Sequence, residues 1–115
     1  SLVYAQQADD DIVYQIVQVN PQFPGGNIAL QEYMENNLRY PAKAPEAKIS
    51  GKVLVRILVE KNGDISESKI LLGLNERCNE EVLRLISTFP KWIPGSQDGR
   101  LLRTYTQLVV KFNLK

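Results

Sequence analysis

Residues 52–61 alternate along the chain, with Val53, Val55, Ile57 and Val59 on one side and Leu54, Arg56, Leu58 and Glu60 on the other. A period of two marks a β-strand, here with one wholly apolar face and one mixed face. Asn62-Gly63 follows, a pair that readily takes the positive φ angles of a type I′ turn. Residues 64–72 then read as a second, more polar strand carrying Ser66, Glu67, Ser68 and Lys69. The pattern predicts an antiparallel hairpin. Downstream the period lengthens: Cys78, Val82, Leu85, Ile86 and Phe89 recur at helical spacing, after an Asn75 suited to cap the helix. It shortens again over residues 100–114, where Leu102, Thr104, Thr106, Leu108, Val110 and Phe112 stay in register and predict one long terminal strand.

The first third is less regular. Residues 1–11 are polar and acidic after the first few positions, with three consecutive aspartates, and are expected to be a disordered lead-in to a domain spanning 12–115. Residues 12–19 are rich in β-branched and aromatic side chains and predict a strand with apolar groups on both faces. Pro21-Gln22-Phe23-Pro24-Gly25-Gly26 ends it. Asn27 is then placed to cap a helix whose Leu30, Tyr33, Met34 and Leu38 share one side and which ends near Asn37. Tyr40-Pro41 leads into an Ala/Lys/Pro/Glu stretch with room for one short helical turn before Ser50-Gly51. These elements sum to an α+β domain: a three-stranded antiparallel sheet, open to a fourth N-terminal strand, with two helices on one face.

Composition narrows what such a domain does. The 115 residues are 43% hydrophobic, enough for one core, and 14 basic against 13 acidic side chains leave a net charge of +1. There is then no global field to gather nucleic acid or anionic lipid, and the strand faces lack the interleaved aromatic and basic residues that stack bases. With no histidine and the single cysteine Cys78, the chain holds no Ser-His-Asp triad, no Cys-His pair, no internal disulfide and no conventional zinc site. Cys78 lies on the apolar helical stripe, where a thiol behaves as a small buried hydrophobe. Glu80-Glu81 diverge on a helix, and the aspartate run reads as solvated surface, so neither forms an acid/base pair. No enzyme, metal or cofactor is expected. No apolar run is long enough to span a bilayer, while Val3-Tyr4-Ala5 matches the end of a secretory signal as well as it matches a cloning remnant.

Phe89-Pro90-Lys91-Trp92-Ile93-Pro94-Gly95 holds the only tryptophan and two of the six prolines. Pro90 and Pro94 fix φ and remove N–H groups, so they force a rigid, extended path that presents the indole of Trp92 in one direction, as a core or corner anchor rather than a ligand platform.

That corner, with Pro21-Gln22-Phe23-Pro24-Gly25-Gly26, Tyr40-Pro41, Gly51-Lys52-Val53-Leu54-Val55 and Asn62-Gly63-Asp64-Ile65, resembles in order and spacing the TonB C-terminal domain in its Bacteroidetes-like form. The resemblance covers residues 13–114. It implies a periplasmic domain that grips the TonB box of an outer-membrane transporter by adding it as a strand. Force would come from an inner-membrane proton-driven motor of the ExbB and ExbD type. Mapped on this sequence, the grip falls on Leu101, Arg103, Tyr105, Gln107, Val109 and Lys111 of the terminal strand, with Tyr40 and Pro41 near the docked box. The stretch given holds no membrane anchor and no Pro-rich spacer. The expectation therefore includes both an excised domain of a transducer and a stand-alone exported or sensory module without motor coupling. Unpaired edges also allow a homodimer, or an N-terminal strand that pairs with the edge of its own chain.

Overall fold

The computed structural model describes residues 11–41 and 50–113. Helix α1 (Gly26–Asn37) is followed by β1 (Ser50–Val59), β2 (Ile65–Leu72), α2 (Glu76–Ser87), the short strands β3 (Gly95–Gln97) and β4 (Arg100–Leu102), and β5 (Thr104–Asn113). β1 lies between β2 and β5 in an antiparallel sheet, and β3 pairs with β4 in a separate small hairpin. The core fills the space between the helices and one face of the sheet. Val53, Val55, Ile57 and Val59 are fully buried there, level with Val110, Leu108, Thr106 and Thr104 of β5. Cys78, Val82, Leu85 and Ile86 come down on them from α2.

The turn between β1 and β2 lies where Asn62-Gly63 predicts it, but its type differs. Only Gly63 has positive φ, at 90°, and Glu60 N–H bonds to Asp64 C=O while Gly63 N–H bonds to Glu60 C=O. This is a three-residue loop closed by a glycine bulge. The two-residue turn with positive φ at both positions occurs instead at Asp98-Gly99, between β3 and β4. Gly63 is also sterically required, because a Cβ there would sit 2.3 Å from the carbonyl oxygen of Trp92, whose N–H bonds to Gly63 C=O at 2.9 Å. The Trp92 corner thus seats itself on the hairpin turn. Its indole is buried among Phe23 and Phe89, with ring centroids 5.8 Å away in each case, and its Nε1 has no partner among the described residues. Trp92 therefore contributes by burial.

Three expectations are corrected. Residues 12–19 do not form a strand: the segment crosses the molecule and touches it through isolated bridges, Tyr14 with Thr104 and Val19 with Ser96, followed by Gln22 with Ile93. Each contact engages a different element, so no continuous ladder can build. Asn27 is not the cap of α1. That place belongs to Gly25 in a left-handed conformation, and no side chain caps the helix. The long terminal strand breaks at Arg103, whose carbonyl accepts from Tyr14 N–H at 2.8 Å and whose guanidinium turns to Glu60 at 2.7 Å. Thr104 Oγ1 donates to Leu102 C=O across the break. Asn75 does cap α2, accepting from Cys78 N–H at 2.8 Å. The short helical turn expected before Ser50 lies outside the described residues.

Candidate functional site

β5 pairs with β1 through an unbroken register from Val59 and Thr104 to Ser50 and Asn113. In such a ladder successive residues alternate between bonding the neighbouring strand and pointing away from it. The N–H of Tyr105 points outward, since it donates to Tyr14 C=O at 2.9 Å, and so do the N–H and C=O of Asn113, which bond Tyr40 Oη. The outward set is therefore the odd-numbered one, and Gln107, Val109 and Lys111 between those ends have no partner among the described residues. An unpaired edge of this kind is a template for another strand.

Beside this edge runs a groove of about 450 Å³, walled by α1 and by residues 107–111. Leu30, Met34 and Leu38 of the α1 side and Leu108 and Val110 of β5 give it an apolar lining, with Glu35 and Lys111 at its rim. The apolar stripe of α1 reads in sequence only as a core face, yet part of it serves the groove. No sequence signal separates the two roles, since the spacing of Leu30, Met34 and Leu38 is the ordinary helical repeat.

The exit of α1 is pinned. Arg84 donates to Asn37 C=O at 2.9 Å and, through Nε, to Glu81 at 2.7 Å, while Glu81 accepts from Arg39 N–H at 2.6 Å. Burial pushes the Glu81 carboxyl up, but its bonds from Arg84 and Arg39 outweigh this and hold it below the usual carboxylate range. The chain is thereby aimed so that the Tyr40 ring stacks edge-on against Phe112, with centroids 5.5 Å apart, and its hydroxyl reaches Asn113.

Of the residues expected to line the grip, Gln107, Val109 and Lys111 lie together on the open edge. Tyr105 stands at its start, its ring under the Arg56 guanidinium at 4.0 Å. Arg103 is at the break, and Leu101 is separated from the edge, exposed on the small β3–β4 hairpin. Tyr40 is at the far end of the edge, followed by Pro41, and Pro90, Trp92, Pro94 and Gly95 form the corner away from it. A second, larger cleft of about 980 Å³ lies between β2 and the end of α2, lined by the ion pairs Glu60 with Arg103 and Asp64 with Lys91. No cluster of three or more His, Cys, Asp or Glu able to hold a metal occurs among the described residues, and no helix among them is long and apolar enough to cross a membrane. Burial pushes the Cys78 thiol up, away from the reactive thiolate form.

Residues 36–114 match the family described as the Gram-negative bacterial TonB protein C-terminal. Among solved structures, the chain is similar to the Helicobacter pylori TonB C-terminal domain in solution. Identity is 22% over 76% of this chain and 79% of that one, with a TM-score of 0.59. A shorter form of the same domain gives 20% identity over 76% and 92%, with a TM-score of 0.55. At these identities the likeness concerns the fold. No curated protein matches the chain.

Proposed function

The chain belongs to the TonB C-terminal domain family, and on that premise we propose that it is a periplasmic peptide-binding domain whose β5 edge receives the TonB box of an outer-membrane transporter as an added strand. The observation that carries this reading is the outward, unpartnered backbone of Gln107, Val109 and Lys111 beside an apolar groove. Five or six main-chain bonds at about 0.5–1.5 kcal/mol each give several kcal/mol before ordering costs, in keeping with roughly micromolar affinity. Backbone bonds supply affinity largely independently of side chains, and the groove supplies selectivity.

In this reading the bound segment couples the transporter to a proton-driven motor of the ExbB and ExbD type, through parts of the protein that precede the domain. A stand-alone exported module would bind the same segment without the motor. A second copy pairing through β5 would compete for the edge.

The test is a titration of the labelled domain with a peptide from a transporter's N-terminus. Amide signals of Gln107, Val109 and Lys111 should move and saturate, while the mass in solution stays that of one domain plus one peptide. Signals that stay in place on this edge would refute strand addition. Transporter-dependent uptake that persists after the proton gradient is collapsed would refute the coupling alone.

A further inference from the structure

The open edge is bounded at both ends by tyrosines, and they close it in different ways. At its start the main chain of Tyr14 already forms one rung, donating to Arg103 C=O at 2.8 Å and accepting from Tyr105 N–H at 2.9 Å. The chain then turns aside toward Ser96 and fills no further rung. At its far end a side chain stands in for a strand. The Tyr40 hydroxyl accepts from Asn113 N–H at 2.7 Å and donates to Asn113 C=O at 3.0 Å, the two bonds that an added strand would make there.

The closure at the far end is firmly held. The Tyr40 ring packs edge-on against the buried Phe112, and the residue before it is tied to α2 through Glu81. Displacing the hydroxyl would therefore disturb a segment that is fixed elsewhere. Between the two closures the outward residues with both N–H and C=O unpartnered run from Gln107 to Lys111, a length of five residues of extended chain.

We propose that Tyr14 and Tyr40 are end stops that limit the bound partner to an extended segment of about five residues, with apolar side chains at the alternate positions that face α1. The proposal rests on the strand-addition reading above and specifies the ligand of that site. An added strand continues both faces of the sheet. Side chains level with Leu108 and Val110 fall toward Leu30 and Met34, whereas those level with Gln107, Val109 and Lys111 continue the open face. The first set must be apolar to fit, and the second is free to be polar.

Tyr40→Phe keeps the ring against Phe112 and removes only the hydroxyl, so it separates the stop from the packing. The probes are blocked synthetic peptides alternating valine and threonine, one of about five residues and one of about nine. The wild-type domain should bind both with the same affinity and leave the Asn113 amide bonded to Tyr40. The Y40F domain should bind the longer peptide roughly five- to tenfold more tightly than the shorter one, as two more main-chain bonds become available. In the complex with the longer peptide its Asn113 amide should gain protection from exchange that it lacks in free Y40F. Equal length dependence in the two proteins would overturn the end stop while leaving strand addition intact, as would protection of Asn113 by the longer peptide through displacement of Tyr40 in the wild type. Failure of both peptides to move the Gln107, Val109 and Lys111 amides in either protein would overturn the parent reading and this one with it.

Discussion

β2 and β5 are both edge strands of the same sheet, on either side of β1, and they meet their surroundings in different ways. The middle of β2 is a run of exposed polar residues, Ser66, Glu67, Ser68 and Lys69, and its pairing with β1 shifts register twice. Charges and bulges are the usual means by which an edge is kept from pairing with another chain. The cleft beside β2 is the larger of the two, but ion pairs line it, and they would have to be desolvated by any apolar segment. β5 has no register shift, and its groove combines leucine, methionine and valine with polar side chains such as Asn27, Gln31 and Glu35, with no ion pair lining it among the described residues. Cleft size is thus a poor guide here. The chemistry of the floor and the regularity of the ladder are what the proposed strand addition at β5 rests on.

Five substitutions test the two edges against each other. The largest effect should strike both edges together: Trp92→Ala empties the aromatic corner that seats on Gly63, at a cost of about 3–5 kcal/mol, read as a lowered denaturant midpoint with β2 and β5 amides losing protection in step. Val109→Pro removes one outward N–H from the β5 edge without touching the bonds to β1. It should weaken peptide binding by more than tenfold, or about 1.4 kcal/mol, whereas Ser68→Pro, at an outward position of β2, should leave affinity unchanged by calorimetry. Equal losses would erase the distinction between the edges.

Glu60→Gln tests the link between the β1–β2 turn and the break that opens β5. The Arg103 side chain bonded to Glu60 holds its carboxyl below the ordinary value of 4.5, against the upward push of burial, with Ser66 helping. A depressed folded-state value contributes stability that is complete above 4.5 and is lost as pH falls through the folded value. The substitution should cost about 1 kcal/mol at neutral pH and remove part of the acid limb of a stability–pH profile. The smallest effect concerns Lys111, which lies directly opposite Lys52. Lys111→Glu converts a like-charge pair into an opposite one and should raise stability by about 0.2–0.5 kcal/mol at low salt, fading as salt is added.

The sheet and α2 are legible in the sequence because each is encoded by a long, uninterrupted period: Val53 to Val59 at two, Cys78 to Ile86 at helical spacing. The corner is legible because proline and glycine act locally. What is not legible is set by contacts distant in sequence. The break at Arg103 depends on Tyr14 and Glu60, and no local pattern separates Leu101 from Tyr105 in an alternating run. The segment of residues 12–19 has strand-like composition but lacks one continuous partner. Asn27 has the right side chain for a cap, yet the left-handed Gly25 starts the helix earlier. The open edge follows from strand order, which places β1 in the middle. The Tyr40 closure depends on how Arg84 and Glu81 fix the exit of α1, a matter of tertiary geometry.

The unbroken register between β5 and β1 has a mechanical consequence. A tug applied along β5 acts in shear, so that all rungs from Thr104 to Asn113 resist at the same moment, and the load passes directly into the central strand. Tyr14 holds the same strand by a single rung and would peel under far less tension. A tether paired only along residues 107–111, as proposed, would engage fewer rungs than the ladder from Thr104 to Asn113 and would part first.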